Sequence, residues 1–186
     1  MTAAPNSAAI ERRAFTEIRA DARSRRIEGY AATFGAEADL GSFVETIEPG
    51  AFRAALSGDI LALYDHDMGK VLGRTKSGTL RLSEDSRGLA FDLLLPETQA
   101  GRDVLALAER NDLGGMSFGF TIPKGGERWQ GRKRSLTNIG LREISVVSAW
   151  PAYPDTEIAL RALQMGAEAA RRRRVLILAE AARWDS

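Results

Sequence analysis

Oily and polar positions alternate over short distances along this chain, and that period of two predicts a mostly β protein. Candidate strands run over residues 14–20 and 27–34, with the polar segment 21–26 as the hairpin loop between them, and over residues 43–47. Residues 60–67 begin apolar and end polar, as in a strand whose first residues lie buried and whose last reach a rim. Shorter strands are expected at 71–75, 79–82 and 89–95; in the last, Leu89, Phe91, Leu93 and Leu95 alternate with Ala90, Asp92 and Leu94, the pattern of a half-buried antiparallel strand. Residues 114–122 and the centre of 135–150 read as two more. Pro49 and Gly50 are expected to open a short helix over 51–56, since proline suits a first helical turn. Thr98 is placed to cap a helix reaching about residue 110, with Val104, Leu105 and Ala108 on its apolar face. The glycine-rich, charged stretch 123–133 reads as an exposed hairpin or mobile loop. Pro151 and Pro154 make an exit turn, and Asp155 can cap a further helix. About eight short strands, two or three helices and no regular β-α-β alternation argue for an α+β fold, a mostly antiparallel β-barrel or sandwich with flanking helices.

Three regions are expected: a disordered tail over 1–12, a body over 13–162, and an alanine-rich helical tail over 163–186. The last carries four arginines, 171–174, directly before the apolar run 175–178. It reads either as a solvated basic turn on an appended helix, or as a docking arm or a segment later removed.

Within the body, residues 114–122 have two unlike faces. Met116, Phe118, Phe120 and Ile122 make one oily; Gly115, Ser117, Gly119 and Thr121 leave the other nearly bare. Glycine inside a strand gives nothing to pack and often marks close approach by a ligand or another backbone. Ser117 is then either an incidental serine at a bulge or barrel corner, or a nucleophile on a surface cleared for an extended peptide.

Composition narrows the chemistry. With 26 basic and 25 acidic side chains the net charge is +1, so no global field recruits nucleic acid, and nucleic acid is not the expected partner. The absence of cysteine excludes disulfides, thiolate metal sites and a cysteine nucleophile. One histidine and scattered carboxylates do not make a metal cluster, the phosphate-loop and dinucleotide glycine patterns are missing, and no cofactor is expected. The first residues lack the pattern of a secretory signal, and no apolar run approaches the roughly 18 residues that span a bilayer, so a cytoplasmic protein with no membrane partner is expected.

A serine hydroxyl needs a neighbour to take its proton as it attacks, and histidine does this best near neutral pH. His66 is the only histidine and is flanked by Asp65 and Asp67, so serine catalysis in this chain would have to pair Ser117 with His66. A third group should orient the imidazole. Glu143 is the candidate, because a carboxylate on an otherwise apolar strand, facing the same way as Leu141, Ser145 and Val147, needs a partner. That partner is either the imidazole or one of the many arginines. Asp65 and Asp67 compete for the role, but strand neighbours of His66 would point to the opposite face.

Five blocks in order now match a known family: residues 27–34 (Ile-Glu-Gly-Tyr-Ala-Ala-Thr-Phe); 48–52 (Glu-Pro-Gly-Ala-Phe); Tyr64, Asp65, His66 and Asp67 followed by Val71, Leu72 and Gly73; 115–120 (Gly-Met-Ser-Phe-Gly-Phe); and 143–147 leading to 151–156. Over residues 15–160 the chain resembles the prohead, or capsid maturation, proteases of HK97-type tailed phages, with relatives in gene transfer agents. The resemblance implies a serine endopeptidase with a barrel-like fold akin to herpesvirus assembly proteases, with His66 as base, Ser117 as nucleophile and Glu143 as the favoured third member. Its implied partners are the major capsid protein, whose scaffolding segment it would cleave, and the protease itself by autoproteolysis; a homo-oligomer is left open. It would work in the host cytoplasm, inside the immature capsid. The competing expectation is a non-catalytic assembly scaffold or chaperone on the same fold.

Overall fold

The structure, a computed structural model, describes residues 11–15, 18–21 and 23–148, the first of these segments in its backbone only. The expectations for residues 1–10, for the exit turn and for the helical arginine-rich tail lie outside the described residues.

Three sheets make up the body. The first holds β1 (Glu11–Phe15), β6 (Leu61–Tyr64), β7 (Asp67–Arg74), β10 (Gly115–Thr121) and β13 (Gly140–Val147), in the order β1-β10-β13-β6-β7. The second holds β2 (Ile18–Asp21), β3 (Arg26–Thr33), β8 (Leu80–Glu84) and β9 (Gly88–Leu94), ordered β2-β3-β9-β8. The third holds β4 (Ala38–Asp39), β5 (Val44–Ile47), β11 (Glu127–Gln130) and β12 (Lys133–Leu136), ordered β11-β12-β5-β4. Pairing is antiparallel except for β12 with β5 and β13 with β6, which run parallel. The expected α+β, mostly antiparallel character is found.

No closed barrel forms among the described residues. Each sheet keeps its own pair of edge strands, and the core is sealed by stacking: β3 lies against β10, and β7 against β9. The approach of β7 to β9 is close enough that a Cβ at Gly73 would meet Leu93 and stand 3.2 Å from Thr79 Oγ1. Between the sheets Phe118 packs edge-on against Phe52 at 5.6 Å and beside Phe120 at 5.1 Å, with Met116, Ile144 and Val146 also fully buried. The third sheet is held by a buried ionic cluster: Arg134 reaches Glu45 at 3.0 Å and Glu127 at 2.7 Å, with its guanidinium over the rings of Phe43 and Trp129.

Alternation and caps place several elements within a residue or two of expectation. The helix α1 (Gln99–Glu109) begins where Thr98 accepts a hydrogen bond from the Gly101 N–H, and buries Val104. Three elements differ. Over 51–56 there is no α-helix: the N–H groups of Ala51, Arg53 and Ala55 each reach back only three residues, a 3-10 pattern that ends at Ser57. The single strand expected over 14–20 is instead parts of two strands, β1 and β2, which belong to different sheets, whereas 123–133 holds the exposed hairpin expected there, β11 paired with β12. The strand expected over 60–67 ends at Tyr64, and the chain reverses through Asp65 and His66 into β7.

Candidate active site

The site is built on β13, which pairs with β10 on one side and β6 on the other. Residues opposite one another in a ladder share a face. One row across the sheet therefore carries Ser117, Ser145 and Leu63; the next carries Gly119, Glu143 and Leu61. The intervening row, Phe118, Ile144 and Ala62, points into the core. Ser117 and Glu143, assigned to strands widely separated in the chain, thus lie on one face, one row apart.

Leu141 does not share that face. The register slips between Gly119 and Phe120, so that Phe120 stands opposite Leu141 and Arg142 is left as the extra residue. Leu141 consequently joins the oily core beside Phe120, Arg142 is exposed, and Glu143 keeps the site face.

His66 enters from the tip of the β6–β7 hairpin. Tyr64 pairs with Asp67, leaving Asp65 and His66 as a two-residue turn, with φ of 51° and 58°. Both lie in the left-handed region that such turns require and that glycine or asparagine usually fills. From there the imidazole Nδ1 lies 2.8 Å from Glu143 Oε1. The second carboxylate oxygen, Oε2, accepts a hydrogen bond from Ser145 Oγ at 2.6 Å. A carboxylate so placed takes the ring N–H at Nδ1 and leaves Nε2 as the ring's acceptor. The burial gradient fits a working pair: the Glu143 side chain is 9% exposed and the His66 side chain 22%.

Gly119 explains part of the bare face. A Cβ there would overlap Glu143 Oε1 and stand 3.1 Å from Cδ and 3.2 Å from Cγ. The space it leaves is filled by the Glu143 carboxylate, so at this position the glycine serves the carboxylate and does not clear a path for a peptide.

The structure therefore joins His66 to Glu143 and sets Ser117 on the same face. It does not join Ser117 to His66: among the described residues Ser117 Oγ makes no hydrogen bond to the imidazole. Ser117 is 3% exposed and Ser145 fully buried. Asp65 and Asp67 do not bond the imidazole either. Asp67 accepts from the Gly69 N–H at 2.8 Å, and that bond, with Lys70 helping, holds its carboxyl below the usual range. Asp65 instead binds Ser148. Ser145 and Ser148 are the residues sequence reasoning passed over. Ser145 carried a usable signal, because two residues from Glu143 on a strand is the nearest same-face position.

Among the described residues no helix is long and apolar enough to cross a membrane. No curated protein and no solved structure gave a match to the chain. A family profile described as caudovirus prohead serine protease matches residues 10–170, which takes in every block that carried the resemblance and all of the site just described. On that match, the chain belongs to the caudovirus prohead serine proteases, a family of capsid maturation enzymes.

Proposed function

We propose that Ser117, His66 and Glu143 act as nucleophile, base and orienting carboxylate of a serine endopeptidase that cleaves the scaffolding segment of the major capsid protein, and itself, inside the prohead. The observation that carries this is the 2.8 Å bond between the sole histidine and Glu143, formed on the sheet face that also bears Ser117. Ser117 Oγ would attack the scissile carbonyl carbon while Nε2 of His66 takes its proton. The tetrahedral intermediate collapses as the C–N bond breaks, and the amine leaves with that proton. Water, deprotonated by the same nitrogen, then hydrolyses the acyl ester and frees Ser117. Glu143 holds the ring by Nδ1 throughout and offsets the positive charge it gains.

The direction of substrate approach follows from the sheet. Both edges of β10 are occupied, by β1 and β13, so a peptide cannot add beside it as a further strand. The scissile carbonyl must come down onto the face, where Oγ stands out of the sheet plane. The fold kinship with herpesvirus assembly proteases, implied by the resemblance, belongs to the same proposal.

The competing reading, a non-catalytic assembly scaffold, draws on the near-complete burial of Ser117. Co-expression with the capsid protein of the same particle, read by product masses, separates the two. The catalytic reading expects truncated capsid protein with the wild-type chain and full-length protein with Ser117→Ala or His66→Ala. Unchanged truncation in Ser117→Ala would overturn it.

A further inference from the structure

The turn that carries His66 is held in an unfavourable conformation, and one side chain ties it down. Two successive L-residues in the left-handed region, Asp65 and His66, form the tip of the β6–β7 hairpin. Asp and His tolerate this region better than most residues with a Cβ, but less readily than glycine, so the tip still needs a reason to keep one geometry. Asp65 supplies the reason. Its N–H donates to the Val146 carbonyl at 2.9 Å, extending the parallel pairing of β6 with β13 by one step. Its carboxylate spans the end of β13: Oδ1 accepts the Ser148 N–H and Oδ2 accepts the Ser148 hydroxyl, both at 2.8 Å. The hairpin bearing the histidine is thus fastened to the strand bearing Glu143 at a second point, beyond the imidazole bond itself. Both oxygens of Asp65 are used there, and neither reaches the imidazole.

We propose that Asp65 is a positioning residue: by clamping the left-handed turn to Ser148 it fixes the height and direction of the His66 ring over the face that carries Glu143 and Ser117. The proposal rests on the catalytic reading above for its effect on rate, though not for its effect on the ring. A misplacement of a reacting group by about 1 Å can cost on the order of 10²-fold in rate, and that is the scale of loss expected when the clamp is cut.

The test uses three substitutions in the full chain. Asp65→Gly relieves the left-handed strain but removes both carboxylate bonds. Asp65→Asn keeps an oxygen for the Ser148 N–H and suits the turn. Ser148→Ala removes the hydroxyl bond alone. Two measurements are made on each. One is the rate at which a fluorophosphonate labels Ser117, resolved into its saturation constant and maximal rate. The other is the NMR spectrum of the imidazole, which is unambiguous because the chain has a single histidine.

The expected result for Asp65→Gly is a fall of about 10²-fold in maximal labelling rate with the saturation constant unchanged, and displaced ring signals. Asp65→Asn should keep most of the rate and near-native ring signals, with Ser148→Ala between the two. Wild-type labelling and ring signals in Asp65→Gly would overturn the proposal. So would an Asp65→Asn variant as impaired as Asp65→Gly, because charge and not the clamp would then be at work. Should Asp65→Gly fail to fold, Ser148→Ala decides: ring signals that do not move when the hydroxyl bond is removed refute the clamp. The ring signals are read without activity. If Ser117→Ala retains full cleavage, the catalytic reading falls while the spectra still decide whether Asp65 holds the ring.

Discussion

Gly119→Ala is the smallest change that should disable the site without touching any residue that takes part in it. The added methyl group would overlap Oε1 of Glu143 and press on Cδ and Cγ at 3.1 and 3.2 Å. Gly119 does not need its conformational freedom, since it is absent from the positive-φ glycines, so the whole effect falls on space. The neighbour that must yield is a carboxylate engaged at both ends, by His66 and by Ser145. Hydrogen bonds to a charged group contribute roughly 1.5–3 kcal/mol each, and overpacking a tight site costs about 1–3 kcal/mol. A destabilisation of about 2–4 kcal/mol is expected, bounded above by the loss of both bonds. If Glu143 swings away, the imidazole loses its orienting partner, which in serine proteases of this logic costs on the order of 10⁴-fold in rate. The assay is fluorophosphonate labelling of Ser117 beside a thermal melt, run as a double-mutant cycle with Glu143→Ala. In the Glu143→Ala background the methyl has nothing to strike, so Gly119→Ala should add little further loss of stability or rate. Additive losses, or a folded Gly119→Ala that labels at the wild-type rate, would refute the steric link between this glycine and the carboxylate.

Other outcomes follow from neighbouring parts. Ser145→Ala strips the donor from Oε2 while leaving the His66 bond, so it should destabilise by about 1–3 kcal/mol and slow labelling less than Glu143→Ala does. Glu45→Ala removes one of the two carboxylates on buried Arg134 and leaves Glu127 paired, so it should cost less in denaturant unfolding than the roughly 3–5 kcal/mol of an uncompensated buried charge, with labelling of the remaining folded fraction unchanged. The Asp85 carboxyl is held below its ordinary value, first by the Tyr30 hydroxyl and then by the N–H of Arg87, with Gly88 adding to them. A carboxyl lowered on folding stabilises above its unfolded pKa, about 3.9, and that stabilisation is lost as pH falls through the lower folded value. Melts of wild type and Asp85→Asn should therefore differ at pH 7 and converge in strong acid; a gap that widens on acidification would contradict this.

What the sequence disclosed and what it hid divide along the line between local and long-range physics. The strand β9 and the helix α1 were legible because alternation and a capping threonine act within a few residues. Ser117, His66 and Glu143 stood out as candidates by rarity or by face, as a serine among glycines, a sole histidine and a carboxylate on an apolar strand, and the structure puts His66 against Glu143 on the face that bears Ser117. The turn at Asp65 and His66 was not legible. Two-residue hairpins are announced by pairs such as Asn-Gly or Asp-Gly; here histidine stands where the glycine would, and the pair is tied through Asp65 to Ser148, far along the chain. The purpose of Gly119 was hidden for the same reason, since the group that fills its space sits on another strand. The strand pattern left a barrel or a sandwich open and the resemblance implied the barrel, yet which edges meet is decided by stacking that no local pattern records.

The bulge at Arg142 shows how finely the site depends on β13. A strand's faces alternate strictly, so a slip of one residue exchanges core and site faces. Before the bulge Leu141 faces the core with Phe120; after it Glu143 faces His66 and Ser145. Strict alternation without the extra residue would give the same assignment, because removing Arg142 makes Leu141 the direct neighbour of Glu143 and so places it on the opposite face. Deleting Arg142 should therefore cost some local twist but keep Leu141 in the core and the His66–Glu143 pair intact, with the imidazole NMR signals close to native. Deleting Ile144 should do the reverse. It leaves Glu143 beside Ser145 and throws one of them, or the whole register, onto the oily face, where a carboxylate without its partners is strongly destabilising. A chain that folds and labels equally well with either deletion would show that this strand's register does not set the site.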